Sequence, residues 1–203
     1  MAFARKLSGL LGLRESLMPT EFAQGEPLES VLDRYLMVVE STAERDTITS
    51  ILLLDGTKLR HGAAPNLPSA YRDAINGAEI GPSAGSCGTA AFRGQPVYVS
   101  DIANDPLWKD YRELADRHGL RACWSTPIRN SDGKLIGTFA VYHQRPRSPT
   151  QQELDSIGTI TEHVARAIMF YRGLDYAPAE DAAQPKSERP ALRLVSDSGK
   201  LVP

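Results

Sequence analysis

Apolar residues follow helical spacing at both ends of the central region. In the segment from Leu28 to Thr42 they recur at steps of four and three, which lines a single seam: Leu28, Leu32, Tyr35 and Val39. The segment from Pro149 to Arg172 repeats this spacing at Leu154, Ile157, Thr161, Val164, Ile168 and Tyr171. We predict a helix over each segment, with the two seams packed in one chain or across a homodimer, which is the preferred arrangement.

The second helix carries local signals for both of its ends. Ser148 offers a hydroxyl at the N-cap, Pro149 suits the first helical position, and Gln151 can reach back to the cap. Gly173 follows the last apolar position and predicts the stop.

Between these helices the apolar pattern becomes that of strands. Two hairpins are predicted, with turns at Asp55-Gly56 and around Asp132-Gly133. A short strand from Pro96 to Val99 begins with proline and should lie at a sheet edge. Strict alternation in the last strand assigns one face to Leu135, Phe139 and Val141, and the other to Ile136, Ala140 and Tyr142.

Short helices are predicted between the strands, over Pro68 to Ile75, Ser86 to Arg93 and Pro106 to His118. The expected fold class is α+β. A central antiparallel sheet has the paired terminal helices on one face, and loops and short helices over a pocket on the other.

The two ends of the chain differ from this core. Residues 1–19 are predicted to be a short basic amphipathic leader, whose apolar patches are too interrupted by charge to span a membrane. Residues 177–203 contain four prolines and no aromatic side chain, which predicts a disordered tail. The folded domain is expected to cover residues 20–173.

The composition of the chain disfavours several classes of function. A formal net charge of -2 over 203 residues removes the bulk electrostatic argument for nucleic-acid binding. The two cysteines, Cys87 and Cys123, lack CxxC spacing, so the sequence predicts neither a disulfide framework nor a cysteine-rich zinc site, and a reducing cytoplasm is the expected compartment. No closely spaced histidine or carboxylate pattern indicates a metal site.

The stretch GPSAGSCGTAAFRG, residues 81–94, is the main candidate for chemistry, although it matches neither a P-loop nor a dinucleotide fingerprint. Ser86 as a helix N-cap would place Cys87 in the first turn, where a thiol pKa falls; a plain packing role is the alternative. As a pocket wall, the stretch would offer hydroxyl, thiol and backbone N–H groups at Ser86, Cys87 and Thr89. Aromatic side chains for the other walls are Trp108, Tyr111, Trp124 and Phe139.

The segment GPSAGSCGTAAFRGQPVYVSDIANDPLWKDYRELADRHGLRACWSTPIRNSDGKLIGTFAVY resembles the central part of a GAF domain of the bacterial signalling type. This resemblance implies an antiparallel sheet of about six strands with a small-molecule pocket under the loops of one face. It also implies a sensory function, in which a ligand signal passes along the flanking helices to a partner protein.

Known branches of this family provide alternatives. Bilin-binding members carry a Cys-His pair, whereas Trp124 follows Cys123 here. Haem binding would use His118 or His143 as an axial ligand, and free methionine sulfoxide reductases use several cysteines, which Cys87 and Cys123 partly resemble. The resulting hypothesis is a non-enzymatic, ligand-binding regulator with an unnamed ligand. A thiol-dependent reductase and a pure dimerisation module are the alternatives.

Overall fold

The computed structural model describes residues 26–173, and the predicted leader and tail lie outside the described residues. The elements in chain order are helix α1 (Leu28–Thr42), strands β1 (Ile48–Asp55) and β2 (Lys58–Ala63), helix α2 (Ser69–Ile75), strand β3 (Ala78–Glu79), helix α3 (Gly85–Arg93), strand β4 (Val97–Val99), a 3₁₀ helix (Pro106–Trp108), helix α4 (Arg112–Arg117), strands β5 (Ala122–Arg129) and β6 (Leu135–His143), and helix α5 (Gln151–Tyr171).

The strands form one six-stranded antiparallel sheet in the order β3-β2-β1-β6-β5-β4. This confirms the predicted α+β fold class. Strand β4 lies at a sheet edge, as the proline at its start predicts. Both hairpin turns contain a glycine with positive φ, Gly56 at 59° and Gly133 at 75°.

Helices α1 and α5 pack on one face of the sheet, and their apolar residues form a shared core. The bounds of α1 are those predicted, although its most buried residues are Val31, Leu32, Leu36 and Val39. Leu28 and Tyr35 pack at the margin of this core. The seam is therefore rotated slightly from the predicted one.

The N-cap of helix α5 lies two residues after the predicted N-cap, Ser148. Thr150 is the N-cap: its hydroxyl accepts from the Glu153 N–H at 3.3 Å, and the Glu153 carboxylate accepts from the Thr150 N–H at 2.8 Å. The hydroxyl of Ser148 is instead hydrogen-bonded to Ser100 at 2.7 Å. Ser148 as the N-cap was therefore wrong, whereas Gly173 ends the helix as predicted, with φ of 66°.

The predicted alternation of β6 is wrong at its first two positions. Gly137 lies opposite Ile128 and Leu135 lies opposite Arg129, so Ile136 is an extra residue in the ladder. Ile136 consequently joins the helix-side core, and Leu135 packs on the opposite face. Beyond this irregularity Phe139, Val141, Ala140 and Tyr142 alternate as predicted.

Arg147 fixes the loop between β6 and α5 against the rest of the helix face. Its guanidinium donates to Glu153 and to Glu44, each at 2.7 Å, and lies 5.0 Å from the centroid of the Trp124 ring. The Trp124 indole in turn donates to the Arg147 carbonyl at 3.2 Å. Strand β5, helix α5 and the loop after α1 are thereby joined at one point.

Candidate functional site

The sheet face opposite α1 and α5 carries a cavity of about 40 Å³. It lies between strands β1, β2 and β6 of the sheet and a cover made of α2, the start of α3 and the segment from Trp108 to Tyr111. The lining consists of aromatic rings, aliphatic side chains and small residues: Leu52, Leu59, Tyr71, Ile75, Ala78, Ala84, Gly85, Ser86, Cys87, Gly88, Trp108, Tyr111 and Tyr142.

Ser86 connects three elements at one end of this cavity. Its buried hydroxyl donates to the Cys123 carbonyl on β5 at 3.0 Å and accepts from the Trp108 indole N–H at 3.1 Å. The prediction that Ser86 caps α3 was wrong, because the N-cap is Ala84. Thr89 closes that end of the helix by accepting from the Ala84 N–H at 3.0 Å, and is fully buried behind the cavity.

Two tyrosines that the sequence did not single out as site residues form much of the wall. The rings of Tyr71 and Tyr142 meet edge to face with centroids 6.0 Å apart. Burial raises the pKa of both phenols well above 10, so both are neutral hydrogen-bonding groups at physiological pH. The Tyr142 hydroxyl lies 3.4 Å from the Ser50 hydroxyl and 3.9 Å from the Cys87 sulfur.

Both thiols are free, with Cys87 half-buried in the cavity wall and Cys123 fully buried. Hydrogen bonding by the Cys123 thiol, and by the hydroxyls of Ser125, Tyr142 and Thr138, lowers the pKa of Cys87 to about 7, although burial opposes this. Burial raises the pKa of Cys123. Cys87 is therefore the thiol that ionises first.

Trp124 and Phe139 do not belong to this cavity. Residues alternate across β5 and β6, and both side chains lie in the helix-side core, where they are 2% and 0% exposed. The prediction that they face Ser86 across one hollow was therefore wrong. The structure does bring Ser86, Cys87 and the Trp108–Tyr111 segment together, and a ligand-binding role for them stays a prediction.

The haem reading does not fit the geometry. His143 lies on the helix face of the sheet, beside Trp124, and His118 is half-buried with its ring against Tyr71 at 5.7 Å. Neither histidine lines the cavity. Within residues 26–173 no group of three His, Cys, Asp or Glu side chains is placed to hold a metal ion.

His143 provides a pH-dependence test of the helix face. It is 1% exposed, its ring nitrogens have no hydrogen-bond partner, and burial, aided by the Arg147 charge, lowers its pKa to about 4. In the unfolded chain His143 binds a proton near pH 6.5, whereas in the folded protein it does so only near pH 4. Above pH 6.5 its titration therefore does not reduce the free energy of unfolding. As the pH falls from 6.5 towards 4, protonation of the unfolded chain lowers that free energy.

Titration of His143 should lower the free energy of unfolding by about 3 kcal/mol between pH 7 and pH 4, and we expect His143→Phe to remove this contribution. The measurement is urea unfolding of both proteins at several pH values between 7 and 4. The free energy of unfolding of the variant should fall less steeply with pH than that of the wild type. Identical slopes would show that His143 is not held neutral in the folded state.

Comparison with known proteins assigns the family. The sequence profile described as GAF domain matches residues 25–169. The chain belongs to the GAF domain family. It is 33% identical over 198 residues to the methyl sulfide methyltransferase-associated sensor of Methanosarcina acetivorans, an alignment that covers 96% of this chain but 19% of that protein. The chain thus spans about a fifth of the length of this relative.

Solved structures share the fold at low sequence identity. A putative GAF sensor protein from Burkholderia vietnamiensis is 20% identical with a TM-score of 0.66, covering 82% of this chain and 96% of that one. The GAF domain of a Coxiella burnetii phosphoenolpyruvate-protein phosphotransferase is 18% identical with a TM-score of 0.67, covering 85% and 98%. Free methionine-R-sulfoxide reductase from Neisseria meningitidis is 16% identical with a TM-score of 0.59, covering 74% and 83%.

No helix in the described part of the chain is long and apolar enough to cross a membrane.

Proposed function

We propose that this chain is a sensory GAF domain that binds a small uncharged molecule in the cavity beside α3 and signals to a partner protein through α1 and α5. The observation that carries the proposal is the cavity itself, which is lined by Tyr71, Trp108, Tyr111 and Tyr142. The family, and a relative that is itself a sensor, support the sensory role.

The lining indicates the class of ligand. Of the described residues that line the cavity, none is Asp, Glu, Lys or Arg. A charged ligand would give up its hydration without gaining a counter-ion, which costs several kcal/mol. An uncharged ligand would pack its apolar part against the aromatic rings and hydrogen-bond through the Cys87 and Tyr142 side. This argument also disfavours nucleotides.

Binding of a ligand with more than a few heavy atoms requires the cavity to open. We call residues 106–111 the lid. The lid is joined to α3 by the hydrogen bond from Trp108 to Ser86, and Ser83 donates to the Pro106 carbonyl at 3.3 Å. A ligand that favours the open lid would shift the population towards it.

Strand β5 provides a route from the cavity to the helices. Ser86 holds the Cys123 carbonyl, and the next residue, Trp124, lies on the other face beneath Arg147. Movement of Ser86 with the lid would displace β5 and thereby alter the packing of Trp124 against the start of α5. The signal would then pass along the paired helices.

Homodimerisation through α1 and α5 remains part of the proposal. Met37 is 57% exposed on α1 and offers apolar surface away from the shared core. Light scattering of the full chain, compared with Met37→Glu, tests this interface. A wild-type monomer at micromolar concentration would remove the dimer from the proposal.

The reductase reading draws on the two thiols and on the fold shared with a free methionine-R-sulfoxide reductase solved in complex with its substrate. A free amino acid carries an ammonium and a carboxylate group, and the cavity lining offers no charged partner for either. The sensory function is therefore the better supported of the two.

Filling the cavity should weaken ligand binding without unfolding the protein. Ala84 lines the cavity, is half-buried and has negative φ, so Ala84→Leu should place a larger side chain at the cavity, at a cost of about 1–3 kcal/mol because the Ala84 Cβ packs closely against Gly88. Ala103→Leu, on an exposed loop, makes the same chemical change outside the cavity.

The measurement is native mass spectrometry of the freshly purified full chain, followed by thermal-shift screening with uncharged metabolites. A retained or stabilising molecule should bind the wild type and Ala103→Leu with equal affinity, and Ala84→Leu at least about tenfold more weakly. Equal binding by all three proteins would place the ligand elsewhere. If no uncharged molecule shifts the wild type, the dimerisation-module alternative gains support.

A further inference from the structure

A cluster of buried polar side chains lies under the cavity, where α3 meets the sheet. We call it the polar floor: Ser50, Cys87, Cys123, Ser125, Thr138 and Tyr142. The register of β1, β5 and β6 places the five strand residues on the same sheet face, and their neighbours on that face are apolar. Ser50, Ser125 and Thr138 have no exposed surface.

Two hydroxyls of the polar floor lack partners. Ser125 Oγ and Thr138 Oγ1 are buried without a hydrogen bond to another group. A buried hydroxyl left unsatisfied costs about 1–3 kcal/mol. Hydrogen bonding by the Cys123 thiol, and then by the hydroxyls of Ser125, Tyr142 and Thr138, lowers the pKa of Cys87, so both orphan hydroxyls face its sulfur.

Ionisation of Cys87 would give the two unpartnered hydroxyls a hydrogen-bond acceptor. A neutral thiol is a weak acceptor, whereas a thiolate accepts several charge-assisted hydrogen bonds. The Cys123 thiol and the hydroxyls of Ser125, Tyr142 and Thr138 would donate to the thiolate, which satisfies the two orphan hydroxyls. The polar floor is therefore built to stabilise negative charge on the Cys87 sulfur inside an otherwise apolar core.

Access differs between the two thiols. Cys87 lines the cavity and is half-buried, whereas Cys123 has no exposed surface and adjoins Cys87 from strand β5. A molecule entering the cavity therefore meets Cys87 first. Cys123 can react only with whatever forms on the Cys87 sulfur.

The size and polarity of the cavity define the reactant. Hydrogen peroxide is uncharged and only slightly larger than water, so the cavity of about 40 Å³ admits it while the lid stays in place. We propose that Cys87 is a modification site at which a small uncharged hydroperoxide is reduced, with Cys123 as the resolving thiol.

The chemistry proceeds in two balanced steps. The Cys87 thiolate attacks one peroxide oxygen; the S–O bond forms, the O–O bond breaks, and the leaving oxygen takes a proton to depart as water or alcohol. The Cys123 sulfur then attacks the sulfenic acid sulfur. The S–S bond forms, the S–O bond breaks, and hydroxide leaves as water with the Cys123 proton. The two thiols lose two electrons in total, and the peroxide gains them.

This reaction takes place in the cavity of the proposed function. It is measured as a change in the oxidation state of the cysteine sulfurs, and it needs no bound metabolite. Failure of the thiol reaction with intact metabolite binding would therefore leave the sensory proposal standing, and the reverse holds equally. A disulfide between β5 and α3 would also change the contact between Ser86 and Cys123, the first link of the route to the helices.

The test uses the reduced full chain with stoichiometric hydrogen peroxide, followed by intact-mass analysis with and without a sulfenic-acid trap. The wild type should lose two hydrogens through one intramolecular disulfide. Cys123→Ser should accumulate a trappable sulfenic acid on Cys87, and Cys87→Ser should oxidise at least about tenfold more slowly. If Cys87→Ser oxidises as fast as the wild type, or Cys87 reacts no faster than a model cysteine peptide, the proposal is overturned.

A second measurement isolates the polar floor. The rate of Cys87 alkylation against pH should show a midpoint near 7 in the wild type and a higher midpoint in Ser125→Ala combined with Thr138→Val, although Cys123 and Tyr142 still lower the pKa of Cys87 in this variant. Removing hydroxyls that lack partners should not unfold the protein. Thr126→Val is the matched control, because its unpartnered hydroxyl belongs to the next residue of β5, on the opposite face. An unchanged midpoint in the double variant would overturn the role of these hydroxyls.

Discussion

Gly137→Ala is expected to destabilise the domain by about 3 kcal/mol or more. A Cβ atom at this position would lie 2.4 Å from the Leu52 carbonyl oxygen and 3.4 Å from the Leu53 Cα, both in the neighbouring strand β1. The atoms it would meet belong to the backbone, so no side chain can rotate away. The substitution therefore forces β1 and β6, two central strands, apart.

Gly158→Ala is the matched control, since it makes the same change inside helix α5 with no atom within 4 Å. Alanine is the better helix former, and this variant should be more stable than the wild type by about 0.5–1 kcal/mol. Urea unfolding of both variants measures the contrast. If the two differ by less than about 1 kcal/mol, the close approach at Gly137 is not the constraint that the structure indicates.

Local signals were sufficient to predict much of the fold. The heptad-like spacing fixed the bounds of α1, and the glycines of the two hairpin turns have the positive φ that such turns require. Pro96 correctly predicted an edge strand. Each of these features depends on residues close together in the sequence, which is why it could be read there.

Side-chain direction in β5 and β6 could not be read from the sequence. The segment from Ala122 to Ile128 is apolar or small at almost every position and buried on both faces, so it lacks the polar alternation that would identify a solvent face. Trp124 was consequently assigned to the wrong face. The extra residue at Ile136 depends on pairing with β5 and carries no local signal.

The sequence predicted only the part of the candidate site that is formed by residues close together in the chain. The start of α3 was found from its glycines and cysteine, which are neighbours in sequence. Tyr71 and Tyr142 were not recognised as site residues, because their meeting depends on α2 packing over a strand that lies 71 residues away. The hydroxyl of Ser86 is likewise used by β5 and the lid, partners that no capping pattern reveals.

The position of Trp124 in the helix-side core predicts a second large change in the free energy of unfolding. Trp124→Ala should destabilise the protein by about 3–5 kcal/mol, because it empties a fully buried site in the helix-side core. It also removes the hydrogen bond to the Arg147 carbonyl and the ring beneath the Arg147 guanidinium. Urea unfolding provides the measurement.

Trp124→Phe is the control for packing, since it keeps a large apolar ring and should lose roughly half as much stability. Both variants should leave the pH midpoint of Cys87 alkylation near 7 under conditions in which they are folded, because the polar floor lies across the sheet. A Trp124→Ala protein of nearly wild-type stability would contradict the assigned face. A shifted thiol midpoint in folded Trp124→Phe would contradict the separation of the polar floor from the helix-side core.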